Sequence, residues 1–93
     1  MISKEECLDL IDRLNEEAHD TVWDLWTEAQ AAEENDEDPY YVEELQELAS
    51  LEQRYEFQFL VDALSPEEKE AIAYYKREDK DFREQFFTYN GEE

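Results

Sequence analysis

The chain has 93 residues, of which 29 are Asp or Glu and 8 are Lys or Arg, so its formal net charge is -21. Such a charge often accompanies disorder, but 41% of the residues are hydrophobic and 14% are aromatic, which predicts one folded domain over residues 1–93. The charge argues against nucleic acid and anionic lipid as partners, because both attract cations, and it favours a basic protein.

Cysteine content and hydropathy predict where the protein resides. Cys7 is the single cysteine, so no disulfide can form within the chain, as is typical of a reducing cytoplasm. The first residues, MISKEECLDL, lack the apolar region of a signal peptide. No stretch approaches the roughly 20 apolar residues that span a bilayer. We therefore expect a soluble cytoplasmic protein.

The first predicted helix covers about residues 4–34. Ser3 and Glu6 have the spacing of a capping box, which marks a helix start. Apolar residues then recur at spacings of three and four, as expected for the buried side of a helix. We expect a bend near His19–Asp20. The predicted buried positions are Ile11, Leu14, Ala18, Val22, Leu25, Ala29 and Ala32.

A second helix is predicted to begin at Pro39, because Asp38 is a good N-cap and proline suits the first helical position. It should extend to about Leu64. Its pattern is weakest over residues 50–54, where a kink is an alternative. The predicted inner face comprises Tyr41, Leu45, Leu48, Tyr55, Phe59 and Ala63.

A third helix is predicted from Ser65-Pro66-Glu67-Glu68, which repeats the start signal. It either continues or restarts near residues 79–81, and Asn90-Gly91 closes it. The predicted fold is an all-α bundle of three long helices, or four if the last one breaks near Asp79, with an antiparallel helical hairpin at its centre. The apolar positions of this last part are Ala71, Ile72, Tyr75, Phe82, Phe86 and Tyr89.

No catalytic constellation can be assembled. Cys7 and His19 are twelve residues apart on one predicted helix, about 18 Å along its axis, which is too far for a Cys–His pair. Cys7 is expected in the core and His19 on a helix flank; a proton switch at His19 is the alternative. The acidic turn at Asn35–Asp38 lacks the glycine and ligand spacing of an EF-hand. We predict no enzymatic activity, no metal and no cofactor, the rival being a hydrolase with a carboxylate–metal site.

The distribution of charge is the most informative feature. The chain has no Lys or Arg from Leu14 to Gln53. Glu16, Asp20, Asp24 and Glu28 recur every four residues, about 6 Å apart on a helix. Like charges at this spacing destabilise a helix, so selection for folding alone would intersperse cations. Two antiparallel helices with such rows would resemble the phosphates of a duplex. A solvated surface that improves solubility is the alternative.

Two aromatic residues, Trp23 and Tyr40, lie beside these acids and are candidate contact residues, because exposed Trp and Tyr are frequent hot spots; burial is the alternative. The predicted partner-binding residues are Glu16, Asp20, Trp23, Asp24, Glu28, Glu33, Glu34, Asp36, Glu37, Asp38, Tyr40, Glu43, Glu44 and Glu47.

The remaining aromatic and basic residues are predicted to have structural roles. Trp26 is expected in the core, and any aromatic residue left over from packing could form a homodimer seam. The residues expected to pack are Phe57, Phe59, Phe82, Phe86 and Phe87. Five cations are interspersed with acids, a pattern that predicts ion pairs within each helix. A second interface of mixed charge is the alternative. The five cations are Lys69, Lys76, Arg77, Lys80 and Arg83.

In size, charge, helicity and the cation-free stretch from Leu14 to Gln53, the chain resembles the small acidic proteins, many from bacteriophages, that imitate DNA to block restriction enzymes, CRISPR effectors, nucleases or transcription factors. The resemblance lies in composition and carries over no residue roles. It implies a non-catalytic inhibitor of the anti-CRISPR or anti-restriction type, which occupies a basic nucleic-acid-binding groove in the host cytoplasm. The alternative is a regulator, such as an antitoxin, a transcription-factor inhibitor or an assembly chaperone, that binds through an aromatic helix face.

Overall fold

The computed structural model describes residues 1–91, and this part of the chain is all-α, as predicted. Its five helices exceed the three or four that the sequence predicts, because two of the predicted helices are each divided. The helices are α1 (Lys4–Thr21), α2 (Trp23–Glu34), α3 (Pro39–Asp62), α4 (Pro66–Glu78) and α5 (Lys80–Asn90).

The predicted helix starts are confirmed, and side chains cap each of them. Ser3 Oγ accepts the backbone N–H of Glu6 at 3.2 Å, and Asp38 accepts an N–H from the first turn of α3. Ser65 and Glu68 form a complete capping box, in which each side chain accepts the other residue's backbone N–H. These bonds satisfy amides that have no partner within the helix.

The predicted first helix is divided at Val22, just after the expected bend. Val22 has φ -101° and ψ 16°, which lies outside the α-helical region, and no side chain caps α2. Thr21 Oγ1 donates to the carbonyl of Glu17 at 3.0 Å, a local bond that bends helices. Thr21, Val22 and Trp23 are also weaker helix formers than Ala or Leu. The break therefore arises without Gly or Pro.

The predicted last helix is divided at Asp79, which confirms the alternative of a restart near residues 79–81. Asp79 is extended, with φ -123° and ψ 115°, and its Oδ1 accepts the N–H of Phe82 at 3.0 Å as the N-cap of α5. Its Oδ2 pairs with Lys4 Nζ at 2.8 Å. One carboxylate thus caps α5 and ties it to α1.

The main core lies between α1, the C-terminal half of α3, α4 and α5. The rings of Phe57 and Phe86 approach to 5.6 Å between centroids, and those of Phe57 and Tyr89 to 5.7 Å. Cys7 is buried, as predicted, and Phe87 is half-buried. The largest fully buried side chains are Phe57, Phe82, Phe86, Ile11 and Cys7.

Most of the predicted buried positions outside α3 are confirmed. Leu25 and Trp26 are corrections, because both are only half-buried at the edge of α2. Tyr75 and Tyr89 are half-buried as well. The confirmed buried positions are Ile11, Leu14, Ala18, Val22, Ala29, Ala32, Ala71, Ile72, Phe82 and Phe86.

The predicted inner face of α3 is wrong. The residues that α3 buries are Val42, Ala49, Phe57 and Val61. Of the predicted set, Leu45 is half-buried, whereas the others are exposed: Tyr41, Leu48, Tyr55, Phe59 and Ala63. The cause is that α3 carries apolar residues on two faces, and the face with the smaller residues at its N-terminal end packs on α2. Small side chains let two helices approach closely.

The molecule has a body and a projection. The body contains the main core, whereas residues 23–50, comprising α2 and the first half of α3, share only a thin apolar seam. We call residues 23–50 the acidic arm. Its seam consists of Ala29, Ala32, Val42 and Ala49. The described molecule measures 50 × 22 × 17 Å.

Candidate functional site

The tip of the acidic arm is a tight turn that closes α2 and leads into α3. The N–H of Glu37 donates to the carbonyl of Ala32 at 3.0 Å, and the N–H of Asp36 donates to that of Glu33 at 3.2 Å. This pair of bonds is a Schellman motif, which usually places glycine where Asp36 stands. Asp36 has φ 54°, a left-handed conformation that aspartate tolerates better than most residues.

The tip places negative charge where a helix least favours it. Glu33, Glu34, Asp36 and Glu37 surround the C-terminus of α2, whose macrodipole is itself negative at that end. Asp38 is the N-cap of α3, and Glu37 precedes it, so these two also lie near the favourable N-terminus of α3. The charge of Glu33, Glu34 and Asp36 at the end of α2 opposes stability rather than serving it.

No cation within the arm offsets this charge. The arm has no Lys, Arg or His, and the ion pairs of residues 1–91 all lie in the body, joining Lys4 to Asp79, Arg77 to Glu78, and Lys80 to Glu84. The ten carboxylates of the arm are Asp24, Glu28, Glu33, Glu34, Asp36, Glu37, Asp38, Glu43, Glu44 and Glu47. A partner or solvent must therefore supply the compensating charge.

Every residue of the predicted partner-binding set is exposed. The fold brings four of them together around an open depression at the tip, which is also lined by Pro39, Val42 and Gln46. Glu16 and Asp20 are not part of this cluster, because they belong to α1 and precede the break at Val22. The row from Glu16 to Glu28 is therefore not one continuous helical row, which corrects the expectation. The clustered carboxylates are Glu33, Asp36, Glu37 and Glu43.

Aromatic side chains lie at both ends of the arm. Trp23 is 56% exposed at its root, and Tyr40 is 70% exposed near its tip, so both are accessible to a partner. The ring of His19 packs against Trp23 at 5.5 Å and against Trp26 at 6.2 Å between centroids. His19 is half-buried, so it lies on a helix flank as expected.

The structure reveals a second exposed feature, and four of its five residues were predicted to be buried. The outward face of α3 carries five large apolar residues, and we call this face the α3 stripe. Its members are Tyr41, Leu48, Leu51, Tyr55 and Phe59. The available signal was the excess of apolar residues around α3, since a helix with one buried face needs only one stripe.

The basic residues pair within their own helix only in part. Arg77 pairs with Glu78, and Lys80 with Glu84, but Arg83 donates to the carbonyls of Lys76 and Arg77 at the end of α4. Cations stabilise helix C-termini in this way. Lys69, Lys76, Arg77 and Arg83 line a groove over Ile72 and Phe86, and among residues 1–91 no acidic side chain lines it.

Within residues 1–91, no group of three or more His, Cys, Asp or Glu side chains is arranged to hold a metal ion. Cys7 is fully buried, and burial raises the pKa of its thiol, so it is poorly suited to act as a nucleophile. None of the helices in this part of the chain is both long and apolar enough to cross a bilayer. Comparisons with protein-family models, curated proteins and solved structures find no match.

Proposed function

We propose that this protein is a non-catalytic inhibitor whose acidic arm occupies the basic nucleic-acid-binding groove of a target protein. The observation that carries this proposal is the charge of the arm: ten exposed carboxylates and no cation over residues 23–50. The arm gives up stability by concentrating this charge. A basic groove would recover that free energy on binding.

The charge density of the arm is close to that of DNA. The twelve residues of α2 span about 18 Å, and the facing part of α3 has the same length. A duplex has one charge per about 1.7 Å of axis, which amounts to about ten charges over that distance. The arm thus carries a similar number of negative charges over a similar length.

The mechanism is competition rather than chemistry. A groove lined with Lys and Arg binds phosphates largely by releasing condensed counterions. The arm would displace the nucleic acid by offering carboxylates to the same cations. The resemblance to bacteriophage DNA mimics extends this proposal to an anti-restriction or anti-CRISPR protein acting in the cytoplasm of the host.

The test is affinity capture followed by competition. A nuclease-treated bacterial lysate is passed over the immobilised protein, bound proteins are eluted with a salt gradient, and the eluted proteins are identified. The proposal expects a nucleic-acid-binding protein that leaves the column at moderate salt and is displaced by duplex DNA. A captured protein that stays on the column at high salt and is not displaced by duplex DNA would contradict the proposal.

Two matched variants test whether binding of the captured protein depends on the acidic arm. The arm variant combines Asp36→Asn, Glu37→Gln and Glu43→Gln, and it should bind the captured protein more weakly with a shallower salt dependence. The body variant neutralises three exposed acids on α1 and α4 and should bind as the wild type does. Its substitutions are Asp9→Asn, Glu67→Gln and Glu70→Gln.

A regulator that binds through an aromatic helix face is the second candidate. The observation that favours it is the α3 stripe, because large exposed apolar patches mark interaction surfaces. Such binding would persist at high salt and would fail when an aromatic residue of the stripe, such as Tyr55, is replaced.

A further inference from the structure

The α3 stripe is a coherent surface rather than a scatter of exposed residues. Its five members are between 40% and 65% exposed. With successive residues about 100° apart around a helix, all five fall within an arc of about 80°. From Tyr41 to Phe59 the stripe extends about 27 Å along the axis. It therefore has the size and shape to contact a second helix along its length.

The α3 stripe is not the face by which α3 packs against the other helices. The opposite face of α3 supplies Val42 and Ala49 to the arm and Phe57 and Val61 to the body. Leaving aromatic side chains such as Tyr55 in water forgoes about 25 cal/mol for each Å² of apolar surface that could be buried. A partner that covers this surface would gain that free energy on binding.

The charges beside the stripe decide what kind of partner fits. Glu44 and Asp62 lie within the arc of the stripe, and Glu47 and Glu52 lie beside it, by the same helical spacing. Arg54, which lines a hollow with Leu51 and Tyr55, is the single cation of α3, so acids outnumber cations four to one along this face. A second copy of the chain would bring these acids against their equivalents. A helix whose apolar face is bordered by Lys and Arg would instead pair with them.

We propose that the α3 stripe docks an amphipathic helix with a basic border. The inference rests on the proposed function in one respect, since both expect a basic partner. It adds that the partner contributes a helix with an apolar face, which lies along α3 while carboxylates on either side hold its cations. Apolar anchors at spacings of three and four are how such helices are recognised.

The test uses two synthetic peptides of the same Leu and Lys composition. The first places leucine at helical spacings of three and four, and the second permutes the order so that no apolar face forms. Binding of each to the wild type is measured by fluorescence anisotropy at physiological salt. The wild type should bind the amphipathic peptide at least tenfold more tightly than the permuted one.

Variants assign that preference to the stripe. The stripe variant combines Leu51→Ser, Tyr55→Ser and Phe59→Ser, and it should lose the preference while still binding the permuted peptide. Leu51→Lys is a second variant in case the triple change unfolds the chain, and it should weaken the amphipathic peptide selectively. Tyr74→Ser, at an exposed aromatic residue on α4, is the control that should change nothing.

Two results would overturn the proposal. One is equal affinity of both peptides for the wild type, which would mean that charge alone binds them. The other is a wild-type dimer in sedimentation equilibrium that the stripe variant abolishes, which would mean that a second copy covers the face. Failure of the arm proposal would give a different result. The arm variant, with Asp36→Asn, Glu37→Gln and Glu43→Gln, would then bind the permuted peptide as tightly as the wild type does.

Discussion

The indole Nε1 of Trp26 donates a hydrogen bond to Oε1 of Gln53 at 2.9 Å, joining α2 to α3 where the arm leaves the body. Gln53 donates in turn from Nε2 to Oδ1 of Asn15 at 3.2 Å, so the connection reaches α1. The ring of His19 stacks on that of Trp26 from the other side of the break. These contacts fix the direction in which the arm projects.

Replacing Gln53 by leucine should loosen the root of the arm. Gln53→Leu leaves the half-buried N–H of Trp26 and the amide of Asn15 without this partner, so we expect the free energy of unfolding to fall by about 1 kcal/mol. Urea unfolding followed by tryptophan fluorescence measures this change. Gln30→Leu is the matched control, because Gln30 is exposed and its amide donates a long hydrogen bond to Glu34 at 3.5 Å within α2. Equal losses in the two variants would mean that the root contact is unimportant.

The pair Phe57 and Phe59 tests which face of α3 is buried. Phe57 is fully buried, whereas Phe59 is 65% exposed. Phe57→Ala should therefore lower the free energy of unfolding by about 3–5 kcal/mol, and Phe59→Ala by less than about 0.5 kcal/mol. Thermal or urea unfolding measured by circular dichroism distinguishes the two. A larger effect at Phe59 would restore the face that the sequence predicted.

This pair also shows the limit of reading the fold from the sequence. The starts of α1, α3 and α4 follow from capping residues next to the helix, which is local information and was read correctly. The buried face of α3 depends on which of two apolar faces meets α2 and the body, which is tertiary information. The break at Val22 is only partly predictable. Thr21, Val22 and Trp23 have moderate helix propensities, but no Gly or Pro marks the position.

The candidate site likewise has some features that the sequence predicts and others that depend on tertiary structure. Exposure of the arm carboxylates could be predicted, since so many uncompensated charges cannot be buried. Their clustering at the tip required the turn geometry around Asp36 and the packing of α2 on α3. The excess of apolar residues around α3 indicates that one apolar face is exposed, but not which one, because residues such as Tyr55 are of a kind that helices usually bury.

The stability that Asp79 contributes should depend on pH. The hydrogen-bonded ion pair with Lys4, followed by the N–H of Phe82, lowers the pKa of Asp79 from its ordinary value of 3.8. Since folding favours the carboxylate, this contribution is present above the unfolded pKa and is lost as the pH falls through the lower folded value. Asp79→Ala should therefore be less stable than the wild type at neutral pH, with the difference shrinking below pH 3.8.

Urea midpoints measured across that range check the sign. Asp79→Asn should retain much of the cap, because asparagine also caps helices, while losing the ion pair. Lys4→Met removes the same pair from the other side and should show a similar dependence on pH. A difference between wild type and Asp79→Ala that grows on acidification would contradict the assigned pKa direction.

Cys7 should be inert in the folded protein. Its side chain is fully buried, and burial is the main cause that raises the pKa of its thiol above 9.0. A thiol reagent at mildly alkaline pH should label the native protein only as fast as α1 opens, and the denatured protein at once. Absorbance of the released chromophore gives both rates. Labelling of the native protein at the rate of a free thiol would place Cys7 outside the core.

Asp36 should show that the arm trades stability for binding. Asp36→Gly removes the cost of a left-handed backbone and a carboxylate from the negative end of α2, so we expect a gain of about 1 kcal/mol. Asp36→Asn removes only the charge, because asparagine also tolerates this conformation, and should gain a few tenths of a kcal/mol. Both variants should bind the captured target more weakly, so stability and affinity would change in opposite directions. A loss of stability in Asp36→Gly would mean instead that the turn needs this carboxylate, and that the charge of the tip has a structural origin.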